Sequence, residues 1–186
     1  MSYVIGVDLG TSGTKTVLFD EVGTVIASHT VEYPLYQEKN GWAEQDPIDW
    51  YDATITTIKA VLEKSRIDSA DIKGIGLSGQ MHGLVMLDKD FNVLRKSIIW
   101  CDQRTGKECE ELTEIVGAEK VIEITANPVL TGFTASKIRW VMKNEPDVFE
   151  KCRYILLPKD YVRYMLTGEL ATEVSDASGM QLLDVP

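Results

Sequence analysis

The sequence predicts an α/β layer fold built on a mixed sheet. Three observations carry this expectation. Residues 4–27 read as strand, glycine loop, strand, turn and strand, which is a meander of antiparallel strands. A segment whose apolar residues keep helical spacing follows at 47–64. The remaining chain interleaves short β-branched runs with helical patterns.

Each element has its own local reason. In VIGVDLGTSGTKTVLFD (4–20), two apolar runs flank a loop of glycine, threonine and serine. Thr16, Val17, Leu18 and Phe19 after Lys15 favour a strand rather than the helix that opens after P-loop and Rossmann glycine loops. Residues 29–42 carry Pro34, Asn40 and Gly41 and read as a strand running into a loop. Asp46 then suits a helix N-cap with Pro47 at the first helical position. Ile48, Tyr51, Ile55, Ile58, Val61 and Leu62 form the expected buried stripe of that helix. IKGIGLSGQ (72–80) and GLVMLD (83–88) read as strands, with a turn at 89–92 and a further short strand at 97–100. Helices are expected at 104–116, 118–125 and 135–143, a loop at 128–133, a strand at 153–157, and a helix at 159–166 closed by Thr167 and Gly168. No repeat and no low-complexity linker divides the chain, so one domain over 1–186 is expected.

Composition narrows the function. The 186 residues are 44% hydrophobic and 26% charged, enough for an ordinary core. No run reaches the roughly 20 apolar residues of a membrane span, and the first residues lack the pattern of a secretory leader, so no membrane association and a cytoplasmic protein are expected. Cys101, Cys109 and Cys152 have neither a paired disulfide count nor a metal-ligand spacing, and are expected to be reduced. A net charge of −10 argues against a nucleic-acid surface, so any phosphate must be held locally.

The glycine loop fits either a phosphate cradle or a tight hairpin. Asp8, at the end of the first strand beside that loop, favours phosphate and metal. SGQMHGL (78–84) ends a strand where α/β sheets place ligands, though a turn with one satisfied histidine would read the same way. Asp102 and Arg104 in IIWCDQRT (98–105) read in isolation as a helix N-cap with a solvated charge, and Pro158, Lys159 and Asp160 as a helix start.

Taken in order, VDLGTSGTK, GWAEQDP, SGQMHGL, IWCDQRT, GFTASKIRWV and LLPKDY resemble the N-terminal domain of the FGGY carbohydrate kinases over nearly the whole chain. Within that family the motifs, SGQMHGL above all, are most similar to those of bacterial xylulose kinases. The resemblance implies an actin-like ATPase (ribonuclease H-like) domain with a mixed sheet flanked by helices. It also implies transfer of the ATP γ-phosphate to D-xylulose, with ATP and Mg²⁺ as cofactors and a small-molecule sugar as partner. Gly10, Thr11, Ser12, Gly13 and Lys15 are similar to the family's first phosphate motif, and Asp8 to the carboxylate that orients Mg²⁺. Gln80, Met81 and His82, with Asp102 nearby, match the sugar pocket. Gly132 stands where glycerol kinases place a tyrosine, and its small size is expected to leave room for a longer sugar.

The family's catalytic base is an Asp at the start of a second domain. No such motif occurs here, so the C-terminal domain is expected to be absent and the 186 residues to turn over ATP poorly. Two alternatives stay open: a family kinase for gluconate, ribulose or glycerol, and a non-catalytic actin-like nucleotide-binding module. A homodimer is compatible with the sequence, which does not fix the oligomeric state.

Overall fold

The computed structural model describes residues 1–185. Its strands are β1 (Tyr3–Leu9), β2 (Gly13–Asp20), β3 (Val25–Glu32), β4 (Glu44–Gln45), β5 (Ile72–Gly79), β6 (Val85–Leu87), β7 (Ser97–Ile98) and β8 (Tyr154–Leu156). The helices are α1 (Pro47–Ser65), α2 (Gly106–Val116), α3 (Ala118–Thr125), α4 (Thr134–Asn144), α5 (Pro146–Lys151), α6 (Pro158–Thr167) and α7 (Val174–Ala177). No helix among the described residues is long and apolar enough to cross a membrane.

The meander forms as expected, and β5 joins it in the order β3-β2-β1-β5. β1 pairs antiparallel with β2 and parallel with β5, so the sheet is mixed. A parallel neighbour requires a crossover, and α1 supplies it between β4 and β5. Alternation along β1 sends Ile5, Val7 and Leu9 inward and leaves Val4 and Asp8 exposed. α1 packs on the inward face, where Ile5, Val7, Leu18 and Val61 form one apolar cluster. Two short antiparallel ladders, β4-β7 and β6-β8, build the other half of the chain. They pack around a second cluster of Leu9, Trp50, Val85, Leu87, Ile99 and Tyr161. Leu9 and Trp50 belong to this cluster, so the end of β1 and the start of α1 sit where the two halves meet.

α1 begins as expected, with the Asp46 carboxylate accepting the Ile48 N–H at 3.0 Å and Pro47 in the first turn. Its buried stripe is the expected one only in part: Val61 is buried, and Tyr51 and Ile58 pack against the apolar clusters. Ile48 is exposed, and the face turned to the sheet carries Trp50, Ala53, Thr54, Thr57 and Val61. Threonine can be buried there because its hydroxyl bonds back to the helix: Thr54 Oγ1 donates to Trp50 O at 2.8 Å and Thr57 Oγ1 to Thr54 O at 3.0 Å. The Thr57 and Thr16 hydroxyls then meet at 2.7 Å between helix and sheet.

Other elements differ in extent. The strand expected at 97–100 stops at Ile98, and the helix expected from 104 starts at Gly106. α5 and α7, both short, were not foreseen. Gly168 ends α6 at φ 74°, in the left-handed conformation that favours glycine.

Replacing Thr57 with Val strands the buried Thr16 hydroxyl, and a loss of about 1–3 kcal/mol is expected in denaturant unfolding. Adding Thr16→Val should recover much of that loss. Additive losses in the double variant would show that the hydroxyl pair is not the cause.

Candidate active site

Two clefts adjoin β1 and β5. The first is on the open face of the sheet. Asp8 faces Lys15 across the β1-β2 pair and Ser78 across the β1-β5 pair, and these residues line a shallow groove of about 400 Å³ with Gly76 and Leu77. Asp8 and Lys15 are exposed, and neither makes a side-chain hydrogen bond or ion pair among the described residues. No cluster of three or more His, Cys, Asp or Glu able to hold a metal occurs among those residues. A lone free carboxylate suits Mg²⁺, which keeps several waters and takes its remaining ligands from phosphate.

The loop at 10–12 is tightly built. Gly10 N donates to Gly13 O at 3.1 Å, and a Cβ on Gly13 would come within 2.6 Å of Val31 O, so only glycine fits the close approach to β3. The Tyr33 hydroxyl donates to Gly10 O. Trp100 Nε1 donates to Thr11 Oγ1 at 2.9 Å, and Gln45 Nε2 to Thr11 O at 2.6 Å. Ser12 stays exposed at the tip.

The same Gln45 side chain reaches the second site. Its Oε1 accepts from Gln80 Nε2 at 2.7 Å and from Trp50 Nε1 at 3.1 Å, while Gln80 N donates to Leu9 O at 2.7 Å. Gln80 is therefore buried and tied through its Nε2 to Gln45, while its buried Oε1 has no hydrogen-bond partner among the described residues.

The second cleft, about 520 Å³, is lined by Ser78, Met81, His82, Phe133, Lys159 and Asp176 among others. Met81 is exposed and His82 half-buried. His82 adopts φ 57°, uncommon for a residue other than glycine. Its N–H donates to Asp176 Oδ1 at 3.1 Å, and its Nδ1 lies 3.1 Å from the same oxygen, at ion-pair distance without hydrogen-bond alignment. Phe133 packs edge-on against the imidazole, with centroids 4.9 Å apart. A Cβ on Gly179 would lie 1.9 Å from the ring, so this glycine makes room for it.

Four residues outside the expected set shape this cleft. Lys159, read from sequence as part of a helix start, pairs with Glu173 at 2.8 Å and Asp176 at 2.9 Å. Lys159 and Ser175 draw Glu173 down to about 2. Burial works to raise Asp176, but His82 and Lys159 outweigh it and hold the carboxyl below its ordinary value. Lys137, fully buried on α4, donates from Nζ to His82 O at 2.8 Å and Gly132 O at 2.7 Å. Burial pushes its ammonium down to about 7, against the pull of Asp102, Cys101 and Asp176. Helical periodicity offered a signal for Lys137, which falls on the same face as the buried Thr134 and Val141.

Two sequence expectations need correction. Asp102 does not line the cleft: it is fully buried, with Oδ2 accepting from Ala43 N at 2.6 Å and Arg104 Nη2 at 2.7 Å. Its Oδ1 accepts Arg104 N at 2.9 Å, so the local Asp–Arg pair consumes both oxygens. Arg104 is not solvated either, being sandwiched on Trp42 at 3.7 Å and tied to Glu44 at 2.7 Å. Gly132 is held to its small size by packing, because a Cβ there would lie 2.9 Å from Trp100 O.

Comparison with known proteins fits this geometry. Residues 3–186 match the N-terminal domain of the FGGY family of carbohydrate kinases. A xylulose kinase of Bacillus subtilis is 49% identical over 185 residues, covering 100% of this chain and 37% of that protein. The crystal structure of a xylulose kinase from Rhodospirillum rubrum superimposes with a TM-score of 0.94 at 31% identity, over 98% of this chain and 38% of the other. That of a gluconate kinase from Lactobacillus acidophilus gives 0.91 at 33% identity, over 98% and 37%. The chain thus spans little more than a third of the length of the relatives it matches.

The depressed Lys137 has a consequence for stability. Its pKa is about 7 when folded against 10.5 for a free side chain, so the unfolded chain binds the extra proton between those values and stability rises with pH there. Relative to Lys137→Met, the unmutated chain is expected to gain stability from pH 7 to pH 9, by at most about 1.4 kcal/mol per pH unit. Denaturant midpoints of both proteins at the two pH values test this, and a difference that does not change with pH would contradict it.

Proposed function

The chain belongs to the FGGY family of carbohydrate kinases, and on that premise we propose that it is the N-terminal domain of an ATP-dependent D-xylulose kinase. The observation that carries the proposal is the pairing of two unlike clefts beside β1 and β5. One holds a free carboxylate beside a glycine loop, and the other a fixed imidazole among polar groups. Gly10, Thr11, Ser12, Gly13 and Lys15 face the terminal phosphates of ATP in this reading, and Asp8 holds the water shell of Mg²⁺. The metal, when bound, neutralises charge on the phosphate oxygens. Met81 and His82 position the sugar, with Gln80 behind them holding the strand end. We place the protein in the cytoplasm.

Phosphoryl transfer depends mainly on positioning and charge neutralisation, together with a group that takes the hydroxyl proton. Asp8, committed to the metal shell, is not that group. We assign the base to a part of the protein outside these 186 residues, as in the second domain that the family resemblance implies.

The charge of the sugar cleft favours a neutral ketose over a sugar acid. Glu173 and Asp176 supply two carboxylates against the single ammonium of Lys159, and both keep their charge at neutral pH. A gluconate carboxylate would meet that surplus of like charge.

Two outcomes follow. ADP release by the reading frame extended past Pro186 is expected to favour D-xylulose at least tenfold in kcat/KM over gluconate, ribulose and glycerol, while preference for another of these would move the assignment to it. Gly179→Ala, which intrudes on the His82 ring, is expected to raise the KM for D-xylulose at least tenfold and leave that for ATP within twofold. An unchanged sugar KM would remove His82 from the sugar site.

A further inference from the structure

Of the non-glycine residues at positive φ, Gln181 closes a short helical turn and Phe91 sits in the turn at 88–92. Arg66 and Ala126 close helices at their left-handed caps, which is a common use of this conformation. His82 caps nothing, and follows the end of a strand. A conformation of this kind persists only where the surroundings over-determine it.

Here both flanking peptides are held. On one side the His82 N–H donates to Asp176, and on the other the His82 carbonyl accepts from Lys137 Nζ at 2.8 Å and Thr134 Oγ1 at 3.2 Å. With N–H and carbonyl both anchored, φ and ψ are set together and the Cα–Cβ bond has one direction. Phe133 and Gly179 then bound the imidazole, and Asp176 lies against Nδ1. Nε2 is the nitrogen left to meet a hydroxyl.

Lys137 is a costly way to hold a carbonyl. A buried ammonium without a carboxylate partner is unfavourable, and its hydrogen bonds go to two backbone oxygens, those of His82 and Gly132. Gly132 precedes Phe133 in sequence, so the one ammonium ties the His82 peptide to the loop that carries the aromatic wall of the imidazole. An apolar side chain would fill the same volume but could make neither bond.

We propose that Lys137 is a positioning residue for the sugar: by gripping the His82 carbonyl opposite the Asp176 grip on its N–H, it fixes the imidazole in the cleft without touching the sugar itself. This rests on the reading of the second cleft as the sugar site.

The test is steady-state kinetics of the full-length kinase with D-xylulose and ATP varied separately. Lys137→Met is expected to raise the KM for D-xylulose at least tenfold with the KM for ATP within twofold, Thr134→Val to raise it two- to fivefold, and Lys137→Arg to recover part of the loss. A residue that served stability alone would lower the melting temperature and leave both KM values in place, or move them together, and either result overturns the proposal. If Lys137→Met does not fold, Thr134→Val and Asp176→Ala decide by the same split. His82→Ala separates the two failures: an unchanged sugar KM there overturns the sugar-site reading and this proposal with it. A raised value with Lys137→Met and Thr134→Val unaffected overturns the proposal alone.

Discussion

The side-chain amide of Gln45 joins pieces of chain that are remote in sequence. Its nitrogen holds the carbonyl of Thr11 in the glycine loop, and its oxygen takes Gln80 at the end of β5 and Trp50 on α1. Gln45 is fully buried, in a strand of two residues whose partner, β7, leads into Trp100. Trp100 returns to the same loop through the Thr11 hydroxyl. Both sites therefore hang on one frame, and movement of the loop at 10–12 must disturb the strand end that carries Met81 and His82. Buried polar networks of this sort specify one arrangement when their members are satisfied, and are costly to break.

Ionic contacts around that frame are buried as well. Glu44, beside Gln45, binds both Arg95 and Arg104, and Arg104 is stacked on Trp42 and locked to Asp102. Removing one partner of a buried pair leaves an uncompensated charge, so these residues fix the shape of the region around β4 and β7 whatever their net contribution to stability. The second cleft adds another network, in which Lys159, Glu173 and Asp176 brace the His82 peptide from the segment around α7.

Local chemistry made much of the fold legible. The meander follows from apolar alternation around glycines, and α1 from the Asp46-Pro47 start, because each depends on neighbouring residues. The tight loop between β1 and β2 was legible for the same reason. What sequence alone misassigned depends on which partners each side chain finds once the chain is folded, whether near or far in sequence. The inward face of α1 was partly misread because threonines bury their hydroxyls against the helix backbone, and Asp102 because its charge is spent on Arg104 and Ala43. The parts played by Lys137, Lys159 and Asp176 became visible only when segments more than 50 residues from His82 were brought against it, in the case of Lys137 over 55 positions and of Asp176 over 94. Gly132 and Gly179 show the same limit, since each is small for the sake of an atom far along the chain.

The most direct measurement is an amide chemical-shift titration of the full-length protein, selectively labelled, with D-xylulose alone and with a magnesium-bound non-hydrolysable ATP analogue alone. Two separate sets of shifts are expected: Met81, His82, Asp176 and Gly179 for the sugar, and Asp8, the loop at 10–15 and Ser78 for the nucleotide. Sugar-induced shifts confined to the loop, or nucleotide shifts centred on His82, would contradict the assignment of the two clefts.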